Sequence, residues 1–135
     1  MNDTVQPDAD ALQRIRLHLA RSKEFPGGSA RHGYEFVAPL DAAGHIDLEA
    51  WKDLRERCTV TRFWGNDEPE QGRLVRRAGG AHGATWVFDY EQGESEDDEA
   101  GYRFGDHAFA PGEYVSLRDE DGVMHTFVVF SVQPA

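Results

Sequence analysis

The side chains able to ligate a metal or act as nucleophiles are six histidines (His18, His32, His45, His82, His107 and His125) and one cysteine, Cys58. No two histidines stand at the HxH or HExxH spacing that would aim both rings at one ion. A scattered set of this kind serves most simply as surface or hydrogen-bonded core residues. His82, His107 and His125 lie in or beside β-like segments and are the first to test as metal ligands. A zinc site at Cys58 would need three more ligands from distant segments, and there is no second cysteine to supply one. Cys58 is therefore expected to be a small buried apolar residue. The glycine-rich stretches GGAHG and FPGGS lack the fixed spacing and the following helix of a phosphate loop, and no cofactor is expected.

Aromatic residues offer a different chemistry. Trp64, Trp86, Tyr102, Phe104 and Phe109 fall on neighbouring β-like segments, with Arg103 and His107 between them. Apolar walls with a few polar groups make a small-molecule pocket. The candidate ligand-binding residues are Trp64, Trp86, Arg103, His107 and His125. The competing reading is that aromatics at a period of two are core.

The stretch YEQGESEDDEAGY (90–102) holds six acids and no base. Clustered carboxylates suit calcium or magnesium. This stretch lacks the register of an EF-hand loop, so the expectation for 91–101 is a flexible acidic loop between two strands.

GEYVSLRDEDGVMHTFVV (112–129) resembles the second motif of the cupin family, with Gly112, Glu113, Val115, Leu117, Gly122 and His125 in matching places. The resemblance covers about a tenth of the chain. It implies a β-barrel with His125 as a metal ligand on the inner wall. The first cupin motif has only His82 to match it, so the resemblance favours a barrel without metal.

These residues must be positioned by the elements around them. Residues 1–7 are polar and contain Pro7, as in a frayed tail. DADALQRIRLHLARSKEF (8–25) places Leu12, Ile15 and Leu19 at helical spacing behind an aspartate cap, and Pro26-Gly27-Gly28 ends it. Leu17 falls off that stripe. IDLEAWKDLRERC (46–58) predicts a second helix capped by Asp47. Alternation then takes over. Strands are expected over 33–40, 58–64, 73–79, 84–90, 101–109 (interrupted at Gly105), 113–119 and 123–132, with turn residues between them. The last is apolar on both faces, as in a strand buried on two sides. The expected fold is α+β: one domain with a mostly antiparallel sheet of about six to seven strands, curled into a small barrel or sandwich. Two helices are expected in its N-terminal half.

Charge narrows the functions. The 135-residue chain carries a net −11, of which residues 91–135 hold −9, from eleven acids against two arginines. Such a surface repels phosphate backbones, so no nucleic-acid partner is expected. No apolar run reaches the ~20 residues of a membrane span. The lone cysteine and the absence of a signal-like N-terminus suggest the cytoplasm. Twelve arginines against two lysines suggest a GC-rich, bacterial genome. With no complete catalytic set, the leading expectation is a non-catalytic binding or accessory module that meets a basic protein partner through its acidic half. The alternative is a small-molecule-binding barrel or cupin-like enzyme using His107 and His125. The sequence leaves the oligomeric state open.

Overall fold

Residues 12–77, 85–90, 99–102, 104–119 and 121–135 are described by the computed structural model. Among the described residues eight strands follow one another: β1 Leu12–Leu19, β2 Ser29–Pro39, β3 Thr59–Trp64, β4 Glu70–Arg77, β5 Thr85–Asp89, β6 Glu99–Tyr102, β7 Tyr114–Arg118 and β8 Met124–Pro134. Each pairs antiparallel with the next, and β8 pairs with β1 to close the barrel. Among the described residues the one α-helix is α1, Leu48–Leu54, with 3₁₀ turns at Arg55–Arg57 and Phe104–Asp106.

The first of the two expected helices is corrected: LQRIRLHL is β1. Its leucines, glutamine and arginines favour a helix locally, but tertiary pairing overrides propensity. Ile15, Leu17 and Leu19 are all buried on one face, at a period of two. Leu17, the misfit of the helical stripe, belongs to the strand's inner row. Without β1 the sheet would keep two raw edges, β2 and β8; with it the edges disappear. Boundaries also shift. β2 starts at Ser29 instead of 33, β4 starts at Glu70 instead of 73, and β6 ends at Tyr102, before a 3₁₀ turn that occupies part of the expected strand 101–109. Residues 99–101 of the expected acidic loop are strand, whereas 91–98 and the tail 1–7 lie outside the described residues.

Consecutive pairing makes this an up-and-down barrel rather than the jelly roll expected of a cupin. The interior is filled. Phe36 meets Phe88 at 5.2 Å, Phe109 at 5.6 Å and Phe104 at 6.1 Å between ring centroids. Each fully buried aromatic contributes roughly 1.5–3 kcal/mol relative to exposure. Gly101 admits this packing: a Cβ there would lie 2.4 Å from Cγ of Phe104. Gly33 serves the β1–β2 pairing instead, where a Cβ would lie 1.9 Å from the Leu17 carbonyl oxygen beside the register shift.

β8 is not buried on both sides. Arg16 faces Ser131 and Leu17 faces Val129, so Phe130 is the extra residue of a β-bulge. It points outward, 60% exposed, and stacks on His18 at 4.3 Å.

α1 covers one end of the barrel. Asp47 caps it by accepting from the Ala50 N–H at 3.1 Å. Trp51 packs edge-on against Trp86 at 5.2 Å and donates its indole N–H to the Leu74 carbonyl at 3.0 Å. The Phe109 N–H donates to the Gly44 carbonyl at 2.9 Å, tying the segment before β7 to the same end. Cys58 is fully buried there and its thiol donates to the Leu54 carbonyl. Burial pushes that thiol up to about 12.

Candidate functional site at the polar end of the barrel

The opposite end is polar. Antiparallel pairing places Tyr34 beside Arg62 and Arg62 beside Glu70, across β2, β3 and β4. The same register puts His32 beside Trp64, Glu99 beside Phe88, and His125 beside Leu117. Phe88 and Leu117 are core residues, so these rows face inward. Tyr90, immediately after β5, completes the group.

At its centre is Glu99, 5% exposed. Its Oε1 accepts from the hydroxyls of Tyr34 and Tyr90, both at 2.9 Å. Its Oε2 lies 3.6 Å from Nε of Arg62. That is an ion pair but too long for a hydrogen bond, and the buried Nε has no hydrogen-bond partner. Nη1 of Arg62 reaches Oε2 of Glu70 at 3.5 Å, and the guanidinium lies 4.5 Å over the Trp64 ring.

These groups perturb one another. Burial raises the Glu99 carboxyl above the usual glutamate range, against the opposing effect of the tyrosine hydrogen bonds and the Arg62 charge. Burial, reinforced by the Glu99 charge, raises both Tyr34 and Tyr90, so both hydroxyls stay protonated as donors. For Arg62 burial acts downward, but Tyr34 and Glu99 outweigh it and its charge is kept.

Trp64 stands between two imidazoles, His32 at 4.9 Å and His125 at 6.0 Å, both edge-on. Ser29 Oγ holds Nδ1 of His32 at 2.7 Å. Asp119 Oδ2 holds Nε2 of His125 at 2.9 Å, while Asp119 Oδ1 accepts the N–H groups of Asp121 and Val123. Burial acts to raise Asp119, but these hydrogen bonds prevail and lower it.

Of the candidates read from the sequence, Trp64 and His125 come together here. Trp86 is 2% exposed in the core at the helix-covered end, with the Arg76 guanidinium 4.8 Å over its ring. His107 follows the 3₁₀ turn at that same end, its N–H donating to the Phe104 carbonyl. The barrel therefore separates His107 from His125. His82 and Arg103 lie outside the described residues. Among the described residues no three His, Cys, Asp or Glu side chains are grouped to hold a metal, and no helix is long and apolar enough to cross a membrane.

Tyr34, Arg62, Tyr90, Glu99 and His32 were missed. One signal was present: Arg62 falls in the inward row of β3 between Val60 and Trp64. A charge in an apolar row is the informative kind of exception.

No protein-family model matches this chain, nor does any curated protein or solved structure. The geometry itself is what bears on function. It provides a cation, an acid, two phenols and an indole at one end of a barrel whose remaining interior is filled with apolar side chains.

Proposed function

We propose that this barrel is a non-catalytic binding module that takes a small molecule at its polar end. The observation that carries the reading is the convergence of Tyr34, Tyr90 and Arg62 on the buried Glu99 carboxylate. Taking two charges out of water costs several kcal/mol per ion, and an apolar pair of the same volume is often as stable or more so. A barrel selected for stability alone gains little from such a group. Ligand sites, by contrast, combine apolar walls with a few convergent polar groups and recur in the mouths of β-barrels. A cysteine nucleophile is disfavoured because the Cys58 thiol stays protonated.

The test is a screen of cationic, neutral and anionic small molecules by thermal shift and tryptophan emission, run on wild type and Trp64→Phe. Trp51 and Trp86 are buried at the other end, so a response from the polar end should depend on Trp64. Saturable binding whose emission change vanishes in Trp64→Phe is the expected result. Binding that leaves Trp64 unaffected, or none from any class, removes the reading.

The charge distribution supports a second reading. A net −9 over residues 91–135 would steer a basic protein partner, with affinity falling as salt rises. Pull-downs at low and high salt test it; recovery of no basic partner at low salt would defeat it.

A further inference from the structure

We propose that the ligand of the polar end is an organic cation with a planar guanidinium or amidinium head, and that Arg62 occupies the same cage when no ligand is bound. The proposal rests on the small-molecule reading of this end and names its ligand class.

Shape is the first indication. The Arg62 guanidinium lies 4.5 Å over the Trp64 ring, with Glu99 on its Nε side and Glu70 on its Nη1 side. An aromatic face and carboxylates arranged around a flat cation are the groups that recognise a guanidinium.

The second is fit. Charge-assisted N–H···O bonds are normally about 2.7–2.9 Å. Arg16–Glu35 and Arg77–Asp89 meet that standard in this same barrel, at 2.9 and 2.7 Å. Both carboxylate contacts of Arg62 are longer, at 3.5 and 3.6 Å, and its buried Nε donates to nothing. Tethered to β3, this guanidinium stops short of the carboxylate that faces it. A free ligand has no tether and can close that gap with paired N–H donors.

The third is charge. Among the described residues Glu70 and Glu99 flank one cation, Arg62, and the chain carries −11. An incoming anion would meet this negative field, whereas a cation that displaces Arg62 leaves the charge of the cage unchanged.

The experiment uses Arg62→Ala, titrated with ethylguanidinium, with its neutral analogue N-ethylurea and with acetate, at constant ionic strength. Ethylguanidinium should raise the melting temperature saturably, by about 5 °C at about ten times its Kd. N-ethylurea and acetate should not, and adding Glu99→Gln should abolish the gain. Agmatine should bind Arg62→Ala at least about tenfold more tightly than wild type, because the resident competitor is gone. If Arg62→Ala does not fold, Arg62→Met keeps the bulk of the stem for the same titrations. Equal agmatine affinity in variant and wild type overturns the proposal. So does stabilisation by acetate or N-ethylurea with a Trp64 response, although that result leaves the small-molecule reading standing. Absence of any Trp64-reported binding, by these probes and by the wider screen, overturns both.

Discussion

Tyr34→Phe is the sharpest probe of the polar cluster. It removes one oxygen and nothing else from a residue that is 2% exposed. The lost interaction is the 2.9 Å hydrogen bond to Oε1 of Glu99. A hydrogen bond to a charged group contributes about 1.5–3 kcal/mol. Tyr90 still donates to the same oxygen, so the carboxylate is not orphaned and the cost should fall near the middle, about 2 kcal/mol. For a chain of this length that lowers the melting temperature by about 5–10 °C. Urea unfolding at neutral pH should show a lower midpoint with an unchanged slope. A double-mutant cycle separates this bond from general packing. In Glu99→Gln the charge is gone, so Tyr34→Phe should cost about 1 kcal/mol less there than in wild type. A Tyr34→Phe cost under about 0.5 kcal/mol, or a cycle additive to within about 0.5 kcal/mol, refutes the reasoning that Glu99 organises this end of the barrel.

Other consequences are open to measurement. Burial raises the Glu99 carboxyl above its ordinary value of 4.5, so the folded protein holds that proton more tightly than the unfolded chain. The stability linked to it is complete below the unfolded pKa and is lost as pH rises through the folded one. Melting curves from about pH 4 to 8 should show Glu99→Gln gaining on wild type as pH rises; a gap moving the other way would mean that the Arg62 charge and the tyrosine bonds dominate. Gly101→Ala drives a Cβ into the Phe104 ring and should cost about 1–3 kcal/mol by overpacking, read as a lower urea midpoint; a neutral result would show that Phe104 can move. Cys58, fully buried with a thiol pushed up to about 12, should ignore a thiol reagent such as Ellman's at pH about 8 and react once unfolded in denaturant.

The β-rich character of the chain was legible because its central strands alternate cleanly. Trp86 and Phe88 face in and are buried, as period two demands. Asp47 and the Leu48–Trp51 spacing marked α1 correctly. β1 was not legible, because Leu12, Ile15 and Leu19 satisfy a helical period while Ile15, Leu17 and Leu19 satisfy a strand period. Only the pairing of β1 with both β2 and β8 decides between them, and the β8 half of that information lies over a hundred residues away. Phe130 misled for a related reason: an apolar residue on a bulge leaves the two-residue rhythm without changing the composition.

The polar cluster was obscured differently. Glu99 ends a run of acids and reads as one more solvated carboxylate, yet it is the acid that β6 carries into the interior. Tyr34 reads as a core aromatic because its ring is one, packed 5.1 Å from Phe88 and 5.2 Å from Phe127; only the hydroxyl belongs to the cluster. Tyr90 and Glu99, 9 residues apart, meet across the neighbouring strands β5 and β6, but Tyr34 and Glu99 are 65 residues apart on β2 and β6, and only the curled, closed barrel brings those two together. The same closure explains how so much charge is tolerated. The helix-covered half supplies a dense aromatic core, so the fold does not rest on the polar half alone. On the proposed small-molecule reading, such a chain would separate folding at one end from recognition at the other. The loosest pairing in that end, Arg62 against Glu99, is where a ligand has most to gain.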